Sequence, residues 1–147
     1  MDDTLIRILQ LGQQGYTCSQ IIILLGLELR GEDNPALVRA MGGLAYGCGS
    51  GHASCGVLSG AACLIALYAG KGSADETSSD RLILMLQELN DWFSEHTGCA
   101  STDMSCDAIV GEAGPEASRQ LCGSILVETY GKVMEILAIN GIDPTVV

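Results

Sequence analysis

Apolar residues recur at helical spacing along almost the whole chain, and no alternating run of strand length interrupts them. Leu5, Ile8, Leu9 and Leu11 mark a first short helix, capped by Asp2 or Asp3 and ended at Gly15. A second runs from about Cys18 to Leu29, with Thr17 or Ser19 as cap and Gly31 as stop. Its segment Ile21 to Leu25 is apolar on every side, the mark of a buried helix. Asn34-Pro35 sets a capping residue before a proline at the first helical position and opens a third helix towards Ala45. Ser54 caps a fourth, from Cys55 to about Ala69. The fifth starts near Asp80 and aligns Leu82, Met85, Leu86, Leu89 and Phe93 on one face. Ser105 or Asp103 caps a short turn of helix from Cys106 to Val110. Pro115 opens the last long helix, with Leu121, Ile125, Val133, Ile136 and Leu137 inward and Gly141 at its end.

No repeat divides the chain, and its one hydrophilic break, Lys71 to Ser79, has the length of a loop and not of a domain linker. The pattern predicts an all-α protein, one compact domain over residues 1–147 built as a bundle of about six to seven helices. Two stretches depart from ordinary helical sequence. Gly42 to Ser54 carries too many glycines for any regular element. The helix Cys55-Gly56-Val57-Leu58-Ser59-Gly60-Ala61-Ala62-Cys63 keeps glycines although each costs about 1 kcal/mol relative to alanine. Gly56, Ser59, Gly60 and Cys63 form a seam of small residues on one face, against which another helix or a cofactor can come very close. This helix is predicted to be the buried centre of the bundle.

Composition adds three points. Hydrophobic residues make up 48% of the 147 and include one Trp and one Phe, so the core must be built from Leu, Ile, Val, Ala and Met, and disorder is excluded. Eighteen acidic against seven basic residues give a net charge of −11, which argues against nucleic acid and anionic membrane surfaces as partners. The start Met1-Asp2-Asp3-Thr4 lacks the basic and apolar regions of a signal peptide, and the apolar stretch from Cys55 to Gly70 is too short to span a membrane. A cytoplasmic protein without membrane insertion is expected.

In that compartment thiols stay reduced, so the seven cysteines read as catalytic, redox-sensing or metal-binding before they read as structural disulfides. Cys18, Cys55 and Cys106 fall at predicted helix N-termini, where free N–H groups and the macrodipole favour the thiolate. Cys122 lies inside the last helix, and Cys63, eight residues after Cys55, reads as packing. Cys48, between glycines, suits a resolving thiol, and His52, three residues before Cys55, could assist a thiolate or bind metal. His96 sits near a helix C-terminus, where a cation is favoured. Hydrolytic triads, Walker loops and dinucleotide fingerprints are absent.

Cys55-Gly56-Val57-Leu58-Ser59-Gly60 resembles the core motif of the small prokaryotic C_GCAxxG_C_C proteins, Cys-Gly-Ala-x-x-Gly, with Val57 in place of the alanine. Gly15-Tyr16-Thr17-Cys18-Ser19-Gln20 is similar to that family's first cysteine segment, and the glycine-rich run from Gly42 to Gly51 to the loop before the motif. Cys106-Asp107-Ala108-Ile109-Val110-Gly111 and Cys122 look like the third and fourth. The resemblance implies a redox-active protein in which Cys18, Cys55, Cys106 and Cys122 act together, with Cys48, Cys63 and Cys99 as extras, and a redox partner such as an oxidoreductase or electron carrier. Two chemistries follow. The four can exchange thiols for disulfides, or they can hold an iron–sulfur cluster, less readily zinc, in a protein without catalysis of its own. The all-round apolar helices and the small-residue seam would also suit a homodimer.

Overall fold

The computed structural model describes residues 3–99, 103–111 and 114–146. Among them seven helices form, α1 (Asp3–Gln13), α2 (Cys18–Arg30), α3 (Pro35–Met41), α4 (Gly56–Ala69), α5 (Leu82–Thr97), α6 (Cys106–Val110) and α7 (Pro115–Ile139), and no strand. The expected cap Asp2 lies outside the described residues. Other boundaries follow local chemistry. The Gln20 side chain accepts the Thr17 backbone N–H at the start of α2, and Gly31 ends that helix in a left-handed conformation at φ 68°. Asn34 Oδ1 accepts from Leu37 N–H at 3.2 Å and Ser105 Oγ from Ala108 N–H at 3.1 Å, each closing a helix N-terminus.

α2 and α4 run side by side in the same direction. Gly60 sits against Ser19 and Ile22, Gly26 against Leu64, and the Arg30 guanidinium lies 4.9 Å over the Tyr68 ring. α7 points the same way, since the Tyr68 hydroxyl donates to the Pro144 carbonyl just beyond its end. α5 returns antiparallel to α7, tied by Arg81 to Asn140 at one end and His96 to Glu128 at the other. α1 returns antiparallel to α2 through Arg7 and Glu28. The N-terminal ends of α2 and α4 and the first half of α7 therefore share one pole.

The core lies between these helices. Ile22, Ile23, Leu64, Ile65, Leu89, Phe93, Val133, Ile136 and Leu137 have no exposed surface. α4 is its centre, as the small-residue seam predicts, because Gly60 lets the α2 backbone come into contact at Ser19 and Gly56 leaves room for Cys18 Sγ. One expected inward position is exposed: Leu121, at 37%. On short α1 the buried residues are Ile8 and Leu11. No helix among the described residues is long and apolar enough to cross a membrane.

The third helix stops at Met41, four residues before its expected end at Ala45. A 3-10 turn over Gly42–Leu44 follows, and then the chain reverses hand. Tyr46, Gly47, Cys48 and Gly49 have φ of 56°, 61°, 55° and 82°, a left-handed turn closed by Gly49 N–H to Ala45 O at 2.9 Å. Two of the four are not glycine, and each such residue costs roughly 1–2 kcal/mol in this conformation. Gly47 cannot be replaced cheaply, since a Cβ there would stand 2.7 Å from the Ala53 carbonyl oxygen. The strained turn lies at the cysteine pole.

Candidate functional site

Cys18 is the first residue of α2, Cys55 the cap of α4 and Cys106 the first residue of α6, so all three occupy the helix ends that the sequence predicts for them. Two backbone clasps hold these ends together. Ser54 and Ser105 form an isolated antiparallel bridge. On either side of it Cys55 N–H donates to Met104 O at 2.9 Å and Cys106 N–H to Ala53 O at 3.3 Å, with Asp107 N–H to Gly51 O at 2.9 Å beyond. Ser54, expected as the cap of α4, is engaged in this bridge, and Cys55 takes the cap position. The second clasp fixes α2: Ser19, wholly buried, donates its hydroxyl to the Met41 carbonyl at 2.8 Å, and Gln20 Nε2 donates to Val38 O at 3.2 Å.

The sulfurs meet inside this frame. Cys18 Sγ packs on Gly56, the residue after Cys55, so closely that a Cβ at Gly56 would lie 2.7 Å from it. The backbone N–H groups of Ser19 and Tyr46 face Cys18 Sγ, those of Val57 and Leu58 face Cys55 Sγ, and all four favour the thiolate. In α4 a cysteine sulfur thus stands where a serine cap would place its oxygen. Cys122 enters from α7 and feels the charge of Cys18 and Cys106, Cys18 that of Cys106, and Cys55 those of Cys18 and Cys122. Four residues up to 104 positions apart in the chain share one electrostatic neighbourhood.

Their acidity departs from the expectation drawn from helix ends. Burial pushes the thiols of Cys18, Cys55, Cys106 and Cys122 all upward, Cys55 to about 12. Cys55 is 5% exposed, and the loss of solvation outweighs the helix-end N–H groups that pull the other way. Repulsion between neighbouring thiolates adds to it, as does Asp107 beside Cys106. At neutral pH these sulfurs are thiols. The sign for stability follows: a group whose folded pKa exceeds its ordinary value near 9 supports the fold fully below pH 9, and that support is lost as pH rises towards about 12. Urea unfolding between pH 8 and 10.5 is expected to show stability falling above pH 9, with Cys55 contributing about 1.4 kcal/mol per pH unit. Cys55→Ala removes that share of the slope.

The remaining candidates have different settings. Cys48 is exposed on the left-handed turn, and Cys99 is half-buried beyond α5 with its carbonyl accepting from Ser94 Oγ at 2.6 Å. Cys63 is half-buried on α4, where it packs against the core, in keeping with a packing role. His52 Nδ1 pairs with Asp107 Oδ2, on the residue after Cys106, at 3.0 Å with both side chains exposed. Asp107, next to Cys106, is a residue that sequence reasoning missed, and its only signal there is that adjacency. His96 stacks on Trp92 at 4.6 Å between ring centres and pairs with Glu128, a structural tie between α5 and α7.

All seven cysteines are free thiols. Among the described residues no group of three or more Cys, His, Asp or Glu side chains is set to hold a metal ion. The four sulfurs are near enough to feel one another's charge, a longer-range property, without forming a closed ligand shell. Among known proteins, the family model described as "Putative redox-active protein (C_GCAxxG_C_C)" matches residues 16–136, a span that takes in Cys18, Cys55, Cys106 and Cys122. No curated protein and no solved structure matches the chain.

Proposed function

Since the chain belongs to the C_GCAxxG_C_C family, we propose that its four gathered cysteines perform thiol–disulfide exchange with a redox partner. The convergence of Cys18, Cys55, Cys106 and Cys122 at one pole carries this reading. Two neighbouring thiols of the site give up two electrons and two protons and form an internal disulfide, and the partner's disulfide is reduced to two thiols. The recessed setting favours that product. Two neutral thiols become one neutral disulfide, so no charge is left buried, and the mutual repulsion of thiolates is removed. In a reducing cytoplasm the resting form is the dithiol.

The lowered acidities mark these thiols as slow towards general alkylating reagents at pH 7, because the thiolate is the attacking species. Reactivity is therefore selective: a partner that ionises one sulfur on docking starts the exchange. The test is a thiol count with peptide mapping on anaerobically purified protein. Mild oxidation is expected to remove free thiols in pairs drawn from Cys18, Cys55, Cys106 and Cys122, and dithiothreitol to restore them, while Cys63 stays reduced. A brown, iron-containing protein whose colour is lost when any one of the four is replaced by serine would overturn this in favour of an iron–sulfur cluster.

A further inference from the structure

Cys55 is buried, yet the segment that lies against it is weakly held. Cys55 caps α4, whose Val57, Ala61, Leu64 and Ile65 have no exposed surface, so its own helix is anchored in the core. The Met104 carbonyl accepts the Cys55 N–H at 2.9 Å, which lays the chain leading into α6 against this cap. α6 has five residues, too few to be stable as a helix by itself, and none of them is buried. Met104 and Ile109 pack against the core only as half-buried side chains, and Asp103, Asp107 and Ala108 are exposed. A segment with few buried contacts opens locally at a free energy well below that of global unfolding.

What fastens this segment is its short ladder to residues 51–55, and Asp107 is the main tie. Around the Ser54–Ser105 bridge, Cys106 N–H donates to Ala53 O at 3.3 Å and Asp107 N–H to Gly51 O at 2.9 Å. The Asp107 side chain holds the same stretch twice more. Its Oδ2 pairs with His52 Nδ1 at 3.0 Å, and its Oδ1 lies so close over Gly51 that a Cβ there would stand 2.5 Å from it. Gly51, at φ 81°, is therefore a glycine for two reasons: its conformation and the carboxylate resting on its backbone.

Resting on the thiol–disulfide reading above, we propose that residues 103–111 form a gate over Cys55, that Asp107 fastens it to Gly51 and His52, and that a redox partner reaches Cys55 when the gate moves aside while the helical bundle stays folded. In the closed form the Cys55 N–H is held by Met104 and its thiol is 5% exposed. In the open form Cys55 keeps its place, because α4 is held by the core, and water reaches the sulfur, which can then ionise. Cys106, the first residue of α6, travels with the gate. Asp107 is thus a positioning residue: it touches no reacting sulfur and acts through the segment it ties down.

The experiment labels the reduced full chain with iodoacetamide at pH 8 and maps singly labelled protein by mass. Reagent is kept low enough that the initial rate is proportional to it and reports the population of the open form. Labelling of Cys55 is expected to rise with urea, below the unfolding transition, at a slope well under that of global unfolding, because a local opening exposes little surface. Asp107→Ala should label Cys55 at least fivefold faster. Gly51→Ala, which displaces the carboxylate and leaves Asp107 in the chain, should do the same. Cys63, two turns further along α4, should label at the parent rate in both, with circular dichroism native. A Cys55 slope equal to that of global unfolding, an unchanged rate in Asp107→Ala, or an equal rise at Cys63 overturns the gate. If Cys55 labels through local opening but mild oxidation forms no reversible disulfide, the gate stands and the exchange reading falls. If disulfides form and Cys55 labels only on global unfolding, the gate alone falls.

Discussion

Gly60→Val is expected to lower the unfolding free energy by about 3 kcal/mol in urea titration at pH 7, the upper part of the usual range for overpacking a core. A Cβ at position 60 meets Ile22 Cγ2 at 2.7 Å, Ser19 Cα at 3.1 Å and the Ser19 carbonyl oxygen at 3.3 Å. The methyl belongs to a β-branched side chain with little rotamer freedom in a helix, and the other two atoms are backbone. Neither can move aside unless α2 moves. Ser19 is also the residue whose hydroxyl holds the Met41 carbonyl, so displacement of α2 breaks the clasp that steadies Cys18. Gly131→Ala makes the opposite case. Gly131 is an exposed position in α7 where a Cβ would meet nothing within 4 Å, and alanine there should stabilise by about 1 kcal/mol through helix propensity alone. Two glycine replacements of opposite sign separate close approach from conformational cost; equal effects at both positions would refute this account of the seam.

Gly56→Ala addresses the chemistry more than the fold. Its Cβ would stand 2.7 Å from Cys18 Sγ and 3.1 Å from the Leu44 carbonyl oxygen. The sulfur is the end of a short side chain and can turn away, so alanine should leave most of the stability in place. A disulfide, however, requires two sulfurs about 2 Å apart at a defined dihedral, and a turn of Cys18 carries its sulfur off the Cys55 side of the site. The rate of Cys18–Cys55 disulfide formation, followed by mass mapping under mild oxidant, is expected to fall at least tenfold. An unchanged rate would mean that Gly56 serves packing alone. The Cys-Gly step of the motif thus has a physical reason, because the glycine leaves room for a second cysteine from another helix.

Much of the fold was legible in the chain because the relevant forces are local. Caps such as Asn34 and Ser105, the stop at Gly31, proline at Pro35 and Pro115, and the three-and-four spacing of Leu82, Met85, Leu89 and Phe93 act within a few residues. The left-handed turn at Tyr46 to Gly49 was not legible beyond its glycines, since Tyr46 and Cys48 do not favour that conformation by themselves. The contacts of Gly47 with Ala53 and of Tyr46 with Cys18 hold it in place. Leu121 shows the same limit from the other side, because periodicity marks it as inward and only packing decides that it stays partly exposed.

For the site itself, sequence alone determined that Cys18, Cys55 and Cys106 stand at helix ends, because helix boundaries are properties of short segments. Only the tertiary structure decided the sign of their acidity. Helix-end N–H groups are supplied by neighbours in the chain, whereas burial is supplied by α2, α4 and α7 closing over one pole, and in a medium stripped of water the second effect is the larger. That Cys55 is buried while Cys106 is half-buried has the same origin: it depends on which helices cover a sulfur, and no spacing in the sequence records that.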